Sequence, residues 1–148
     1  MDEMILGKIT SRRMSASGAA LLLLGLLTGL LVPKLANPRM ALASHVEGVM
    51  SGMMLMILGL LWPQLRLGAG AMKAAGWLAV YGAFANWINP LMAAAWDAGG
   101  TMMPGASGGK KGSRFQEMII NVVAVSLVLA LVPAVFIVFW GLRGGSRD

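Results

Sequence analysis

The sequence predicts an all-α integral membrane protein, a four-helix bundle that forms a single transmembrane domain over residues 1–148. The first observation is composition: 57% of the residues are hydrophobic and 12% are charged, whereas soluble domains carry roughly 25% charged residues. The second is length, because a helix needs ~20 mostly apolar residues to cross a bilayer core and four stretches of the chain qualify. The third is that no stretch alternates with the period of a strand, which excludes a membrane barrel.

The four predicted helices cover residues 16–35, 40–67, 72–96 and 116–142. The start of the chain is acidic and then basic, and the first apolar run has no clear cleavage site, so we interpret it as a retained helix rather than a signal peptide. Tryptophans stand near the ends of the spans, where aromatic belts form, at Trp62, Trp77, Trp96 and Trp140.

The connection 97–115 is long and rich in glycine and polar residues. A loop of this length in a small bundle is either functional or mobile. We therefore expect it to be partly disordered or to form a lid over a site.

The net charge of +6 does not indicate nucleic-acid binding, because the basic residues are scattered between the apolar spans and no basic run contains aromatics. The side of the membrane that would hold both termini receives slightly more Lys and Arg than the other side. The positive-inside rule thus favours a multi-pass protein of the inner (cytoplasmic) membrane with cytoplasmic N- and C-termini.

The residue inventory excludes several kinds of chemistry. There is no cysteine, so disulfides, zinc-thiolate sites, iron–sulfur clusters and thiol nucleophiles are ruled out. The dinucleotide-binding, P-loop, zinc-protease and nucleophile-elbow motifs are also missing. With His45 as the single histidine, haem with one axial histidine remains possible.

Polar side chains lie near one end of three predicted helices. They are His45, Glu47 and Ser51 in the second, Asn86 and Asn89 in the third, and Gln116, Glu117 and Asn121 in the fourth. Because successive helices run in opposite directions, all three groups fall in the same half of the bilayer. Ionisable residues inside a membrane are costly and mark functional sites. A site is therefore predicted at this level, beneath loop 97–115.

Helical geometry divides the polar residues of the second helix between two faces. His45 and Glu47 are two residues apart, and at ~100° per residue they point in nearly opposite directions. We expect one of them to face the bundle and the other a neighbouring subunit. Small residues in this helix and the first form ladders that let membrane helices approach closely, and these are Ser44, Gly48 and Gly52, and Gly25 with Gly29.

Purely structural roles compete with these assignments. A membrane histidine can simply hydrogen-bond a neighbouring helix, and Asn86 with Asn89 can do the same. Glu117 and Gln116 can mark the start of a helix, where an acid suits the helix dipole. Trp87 lies away from the span ends and is the aromatic residue that we expect to line a pocket.

Two segments resemble a known enzyme family. HVEGVMSGMMLMILGLLWPQL is similar to the second helix of hydroxylaminobenzene mutases, with the pattern H-x-x-G-x-M-N-G before an apolar run ending in LLWP. YGAFANWINPLMAAAW resembles their third helix, with its Y-G-x-x-A-N-W core, and the likeness continues in TMMPGA and FQEMIINVVAVSLVLALV. Styrene oxide isomerase is a more distant likeness. The resemblance covers about residues 40–142, and the first helix matches in hydropathy alone.

The resemblance implies a membrane isomerase that moves the hydroxyl of an arylhydroxylamine from nitrogen to the ortho position of the ring, giving an ortho-aminophenol. It also implies haem b bound by His45 on a helix face with Gly48 and Gly52, a small aromatic substrate that enters from the lipid bilayer, and a homo-oligomer, with a trimer favoured. The candidates for proton transfer and substrate orientation are Glu47, Ser51, Tyr81, Asn86 and Glu117.

The sequence departs from the family pattern in places that bear on the reaction. Ser51 stands where the pattern has asparagine, and a hydroxyl reaches less far than a carboxamide. Gly82 and Pro90 stand where the isomerase has aspartate and tyrosine, which disfavours the alternative of epoxide isomerisation. Two further alternatives are a small multidrug-type transporter, which would need a carboxylate that the first span lacks, and a non-catalytic membrane anchor.

Overall fold

The computed structural model describes residues 2–143, and their side chains from residue 10 onward. The described chain is helical and contains no strand. Two 3₁₀ turns, Val32–Lys34 and Trp62–Gln64, follow the first and second helices. The α-helices are α1 Asp2–Leu31, α2 Pro38–Leu61, α3 Ala69–Trp96, the short α4 Pro104–Ser107, and α5 Arg114–Leu142.

The long helices form a membrane bundle, which confirms the predicted fold class. By length and composition, 3 segments are able to cross a membrane, and these are Thr10–Lys34, Pro38–Gln64 and Arg114–Leu142. Helix α3 is 28 residues long and is not among these segments, and it carries Asn86 and Asn89 in its second half. It packs between α2 and α5, while α1 packs mainly against α2.

The helix ends differ most from the predicted ones at two places. Helix α1 begins at Asp2 rather than near residue 16, because no proline precedes Pro33 and the polar segment can continue the helix. Helix α2 ends at Leu61 rather than at residue 67, since Pro63 has no N–H and the chain closes with a 3₁₀ turn. At its start, the Asn37 side chain accepts a hydrogen bond from the Met40 N–H at 3.2 Å, which caps α2.

Glycines bring the backbones of α1 and α2 into direct contact. A Cβ added at Gly25 would lie 2.6 Å from the Val49 nitrogen, and one at Gly52 would lie 2.5 Å from the Leu22 nitrogen. The predicted close packing is therefore confirmed for the glycines. Ser44 of the same ladder approaches α3 instead, where it donates to the Trp87 carbonyl at 2.8 Å.

The buried apolar residues form two clusters, and the polar residues lie between them. One cluster joins all four long helices through residues that include Leu21, Leu55, Ala79 and Val138. The other lies at the opposite end of α2 and α3, around Met40, Ala41, Ala93, Ala94 and Ile120. The α2 segment 44–51 and the α3 segment 86–89 fall between these clusters, so a polar layer crosses the bundle at one depth.

Candidate active site

The centre of the polar layer is a cluster of Glu47, Ser51 and Asn86. The Asn86 amide nitrogen donates to a Glu47 carboxylate oxygen and to the Ser51 hydroxyl oxygen, the latter at 3.2 Å. Both hydrogens of this nitrogen are thereby used. The Ser51 O–H, the second Glu47 oxygen and the Asn86 carbonyl are left to bind another group. The prediction that α2 and α3 place their polar residues at one level is confirmed.

His45 lies on the opposite side of α2 and contacts α1. Its Nδ1 is 2.8 Å from the Gly25 carbonyl oxygen, which can only accept, so Nδ1 carries the hydrogen. Nε2 is then left with a free lone pair. The ring lies against the backbone of Gly29, where an added Cβ would be 2.7 Å from Nδ1. His45 and Glu47 point apart as predicted, and each has a hydrogen-bond partner within the chain.

Trp87 joins three helices beside this cluster. Its indole N–H donates to the Thr28 hydroxyl of α1 at 3.0 Å, and that hydroxyl donates to the Leu24 carbonyl at 2.8 Å. Its ring also contacts Gly48 of α2, where an added Cβ would lie 2.6 Å from the ring atom Cδ1. Sequence reasoning missed Thr28, although a single buried threonine in the apolar core of the first span was a usable signal.

Glu117 lies at the start of α5 and organises the long loop. One of its oxygens accepts the Gly99 N–H at 2.8 Å and the Gly112 N–H at 2.9 Å, and the other accepts the Thr101 N–H at 3.0 Å. The carboxylate is buried, with 8% of the residue exposed. Glu117 therefore ties both ends of the loop to α5, apart from the Glu47 cluster. The sequence does not indicate these partners, because they are backbone N–H groups rather than side chains.

Loop 97–115 has a defined conformation, which corrects the expectation of partial disorder. It contains α4, and the Asn37 amide donates to the Ser107 carbonyl at 2.9 Å, which fixes this helix to the start of α2. Lys110 and Asp97 form an ion pair at 3.0 Å. Gln116 belongs to a capping box with Ser113 at the start of α5, as its helix-start interpretation predicted.

Tyr81 lies on a different face of α3 from Asn86. Its hydroxyl is 2.7 Å from the Ser126 hydroxyl, which itself donates to the Val123 carbonyl, so Tyr81 donates to Ser126. Tyr81 borders a groove of about 520 Å³ on the outer side of α3 and α5, whose other walls include Trp77, Phe84 and Trp87. The structure thus confirms that Trp87 lines a groove, and it separates Tyr81 from the Glu47 cluster.

Comparison with known proteins agrees with this arrangement. A family model described as styrene oxide isomerase matches residues 10–143. Hydroxylaminobenzene mutase HabB of Ectopseudomonas oleovorans is 53% identical over 133 residues, which cover 90% of this chain and 81% of that protein. Hydroxylaminobenzene mutase HabA of the same organism is 42% identical over 127 residues, covering 86% and 94%. No solved structure matches significantly. The chain therefore belongs to the styrene oxide isomerase family and is a membrane isomerase.

Proposed function

We propose that this isomerase is a mutase that converts arylhydroxylamines, such as hydroxylaminobenzene, into ortho-aminophenols within the membrane. Two relatives that match most of the chain are named hydroxylaminobenzene mutases, which supports this substrate class. The observation that carries the proposal is the cluster of a carboxylate, a hydroxyl and an amide in a polar layer of an otherwise apolar bundle. A small aromatic substrate partitions into the bilayer and reaches this depth from the lipid.

The reaction balances without an oxidant or a reductant. The N–O bond breaks, a C–O bond forms at the ring carbon ortho to nitrogen, and one proton passes from that carbon to the nitrogen. The protein must therefore hold the hydroxylamine, stabilise the positive charge that spreads into the ring, and move protons. This demand matches a chain that lacks nicotinamide, flavin and thiol motifs.

Each of these functions can be assigned to a side chain in the cluster or beside it. In this proposal the Ser51 O–H donates to the hydroxylamine oxygen, and the Asn86 carbonyl accepts the N–H of the substrate. Glu47 takes the proton from the ring carbon and returns it to nitrogen, as a general base and then a general acid. Trp87 lies beside the cluster, and an indole face stabilises a nearby cation by about 0.5–2 kcal/mol.

The family resemblance also implies haem b, and we propose that His45 would be the residue that holds its iron. The Gly25 carbonyl holds Nδ1–H, so Nε2 presents its lone pair, as metal-bound histidines do. The described residues contain no group of three His, Asp or Glu able to hold a metal ion, so a lone histidine suits a metal that a porphyrin already binds. Haem iron, when bound, would supply a Lewis acid, and because His45 and Glu47 point apart on α2 it would do so toward a hydroxylamine held by the Glu47 cluster of a neighbouring subunit. Gly48 and Gly52 would support it indirectly, by holding α1 beside α2.

The assembly and location of the enzyme belong to the same proposal. We propose a homo-oligomer, with a trimer favoured, in the inner membrane with both termini in the cytoplasm. The family resemblance supports the oligomer, and the distribution of Lys and Arg supports the orientation. Chemical cross-linking in membranes would measure the number of subunits.

Product analysis tests the proposal. Membranes that contain the protein are incubated with hydroxylaminobenzene without reductant, and we expect 2-aminophenol. Glu47→Gln should abolish its formation, while Asp97→Asn, which removes a surface carboxylate, should retain it. Styrene oxide is a second substrate, and phenylacetaldehyde as the main product would favour the epoxide isomerase alternative. Folded protein that forms no 2-aminophenol, but moves protons when a drug is added, would replace the mutase with a transporter.

Haem binding is measured separately from activity. Purified protein should show a Soret absorption band, and His45→Ala should lose it. Colourless protein that still forms 2-aminophenol would remove haem from the proposal and keep the mutase.

A further inference from the structure

Two buried amide oxygens within residues 10–143 make no hydrogen bond to the protein. They are Oδ1 of Asn89 on α3 and Oδ1 of Asn121 on α5. Asn89 is only 2% exposed. A buried amide oxygen without a donor costs free energy, and lipid tails have no donor to offer. A small hydrogen-bond donor from outside the polypeptide is therefore expected at both positions.

The packing of α3 against α5 places the two asparagines at one level. Tyr81 lies opposite Ser126 and Gly82 lies opposite Leu131, whereas Ala93, farther along α3, shares a buried cluster with Ile120, so the helices are antiparallel neighbours. Asn89, eight residues beyond Tyr81, is therefore level with about residues 118–124 of α5, the segment that holds Asn121.

Asn121 also borders a polar pocket at the end of the bundle. The pocket has a volume of about 420 Å³, and its lining includes Thr101, Lys111, Arg114 and Glu117. Lys111 and Arg114 are exposed, which places the pocket mouth at the aqueous or headgroup side of the membrane. Asn89 in turn lies one helical turn from Asn86 of the Glu47 cluster and shares its face of α3.

We propose that Asn89 and Asn121 bind a short chain of internal water that joins this pocket to the Glu47–Ser51–Asn86 cluster. Water fits because one molecule both donates and accepts, and buried waters commonly satisfy otherwise unpaired polar groups. The water lets the Glu47 carboxyl exchange protons with the solution on the side of loop 97–115. Its use in catalysis rests on the proposed function, whereas the hydration itself does not.

The natural absence of cysteine makes the route directly testable. Single cysteines are introduced as Asn121→Cys at the pocket and as Ser51→Cys, a nearly isosteric change, at the cluster. Ile120→Cys is the matched control, since this neighbour of Asn121 is 0% exposed within an apolar cluster. The folded variants are treated with silver ions, which are similar in size to water, and are then denatured and labelled with a maleimide. We expect Asn121→Cys and Ser51→Cys to lose the label and Ile120→Cys to keep it.

Blocking the proposed water chain at Asn89 tests whether it passes this residue. In an Asn89→Leu background, Ser51→Cys should keep its maleimide label after silver treatment, because the amide that binds the water is gone. Should Ser51→Cys be as protected as Ile120→Cys, or react equally with and without Asn89→Leu, the route is refuted. Asn86→Cys replaces Ser51→Cys as the inner probe if the latter does not fold, with the same expected loss of label and the same expected protection in the Asn89→Leu background. The experiment measures the access of silver ions and no catalytic turnover. Failure of the proposed water chain is therefore distinguishable from failure of the proposed mutase function.

Discussion

Gly29→Ala tests the proposed position of the histidine most directly. The added Cβ would lie 2.7 Å from Nδ1 of His45 and 3.0 Å from Cε1, closer than such atoms approach in proteins. The imidazole must then move away from α1, and its hydrogen bond to the Gly25 carbonyl, now 2.8 Å, is lost or lengthened. The substitution at Gly29 therefore displaces the His45 side chain, although His45 itself is unchanged.

The expected loss of stability follows from three terms. Overpacking in a well-packed interior costs about 1–3 kcal/mol. The hydrogen bond to Gly25 contributes about 0.5–1.5 kcal/mol. Alanine gains about 0.5–1 kcal/mol over glycine in a helix interior. The net effect is a destabilisation of about 0.5–4 kcal/mol, read as the free energy of unfolding in mixed detergent micelles.

Two controls separate the clash from a general effect of alanine. Gly70→Ala, where nothing lies within 4 Å of the added Cβ, should leave stability unchanged or raise it slightly. In a His45→Ala background the clash and the hydrogen bond are both absent, so Gly29→Ala should be neutral or stabilising, which gives a coupling of about 1.5–4.5 kcal/mol between the two sites. An equal loss in both backgrounds would show that His45 does not lie on Gly29. In protein that carries the proposed haem, Gly29→Ala should also shift the Soret band, while Gly70→Ala should not.

Three further predictions concern the contacts around the site. Gly48→Ala should destabilise by about 3 kcal/mol or more in the same unfolding assay, because its Cβ would meet both the Trp87 ring and the Gly25 backbone. Thr28→Val should cost about 1–3 kcal/mol by leaving the Trp87 indole N–H unpaired, whereas Thr28→Ser should cost less, and equal values would contradict this bond. Glu117→Gln should speed tryptic cleavage in loop 97–115. Both carboxylate oxygens accept backbone N–H groups, from Thr101 and from the two glycines, and the glutamine would place an NH2 group against one of these N–H donors. Unchanged cleavage kinetics would show that the carboxylate does not hold the loop.

The fold was predictable because the lipid bilayer imposes it. Long apolar stretches must be helical so that every backbone group is paired, and composition alone identified them. The helix ends were less predictable, because they depend on local chemistry rather than on hydropathy. Helix α1 begins well before its apolar run, and α2 ends at Leu61, where the 3₁₀ turn around Pro63 begins.

The site was predictable where it depends on side chains at a shared depth. The antiparallel order of α2 and α3 was enough to place Glu47, Ser51 and Asn86 together. The site was not predictable where a side chain hydrogen-bonds to the backbone. The partners of Glu117 are N–H groups of a folded loop, and the partner of His45 is the Gly25 carbonyl, and neither leaves a residue-type signal in the sequence.

Helix α1 shows why an inspection of polar residues gives an incomplete picture of this site. In its membrane-spanning part it supplies no carboxylate and no imidazole, yet it places both nitrogen-bearing rings of the polar layer. The Gly25 carbonyl sets the tautomer of His45, the bare backbone of Gly29 makes room for that ring, and Thr28 accepts the Trp87 N–H. A helix of similar hydropathy that replaced these three residues with leucine would still cross the membrane, but it would displace both rings. Such a chimera should therefore insert normally and lose isomerase activity, whereas activity equal to the natural chain would show that α1 serves only as an anchor.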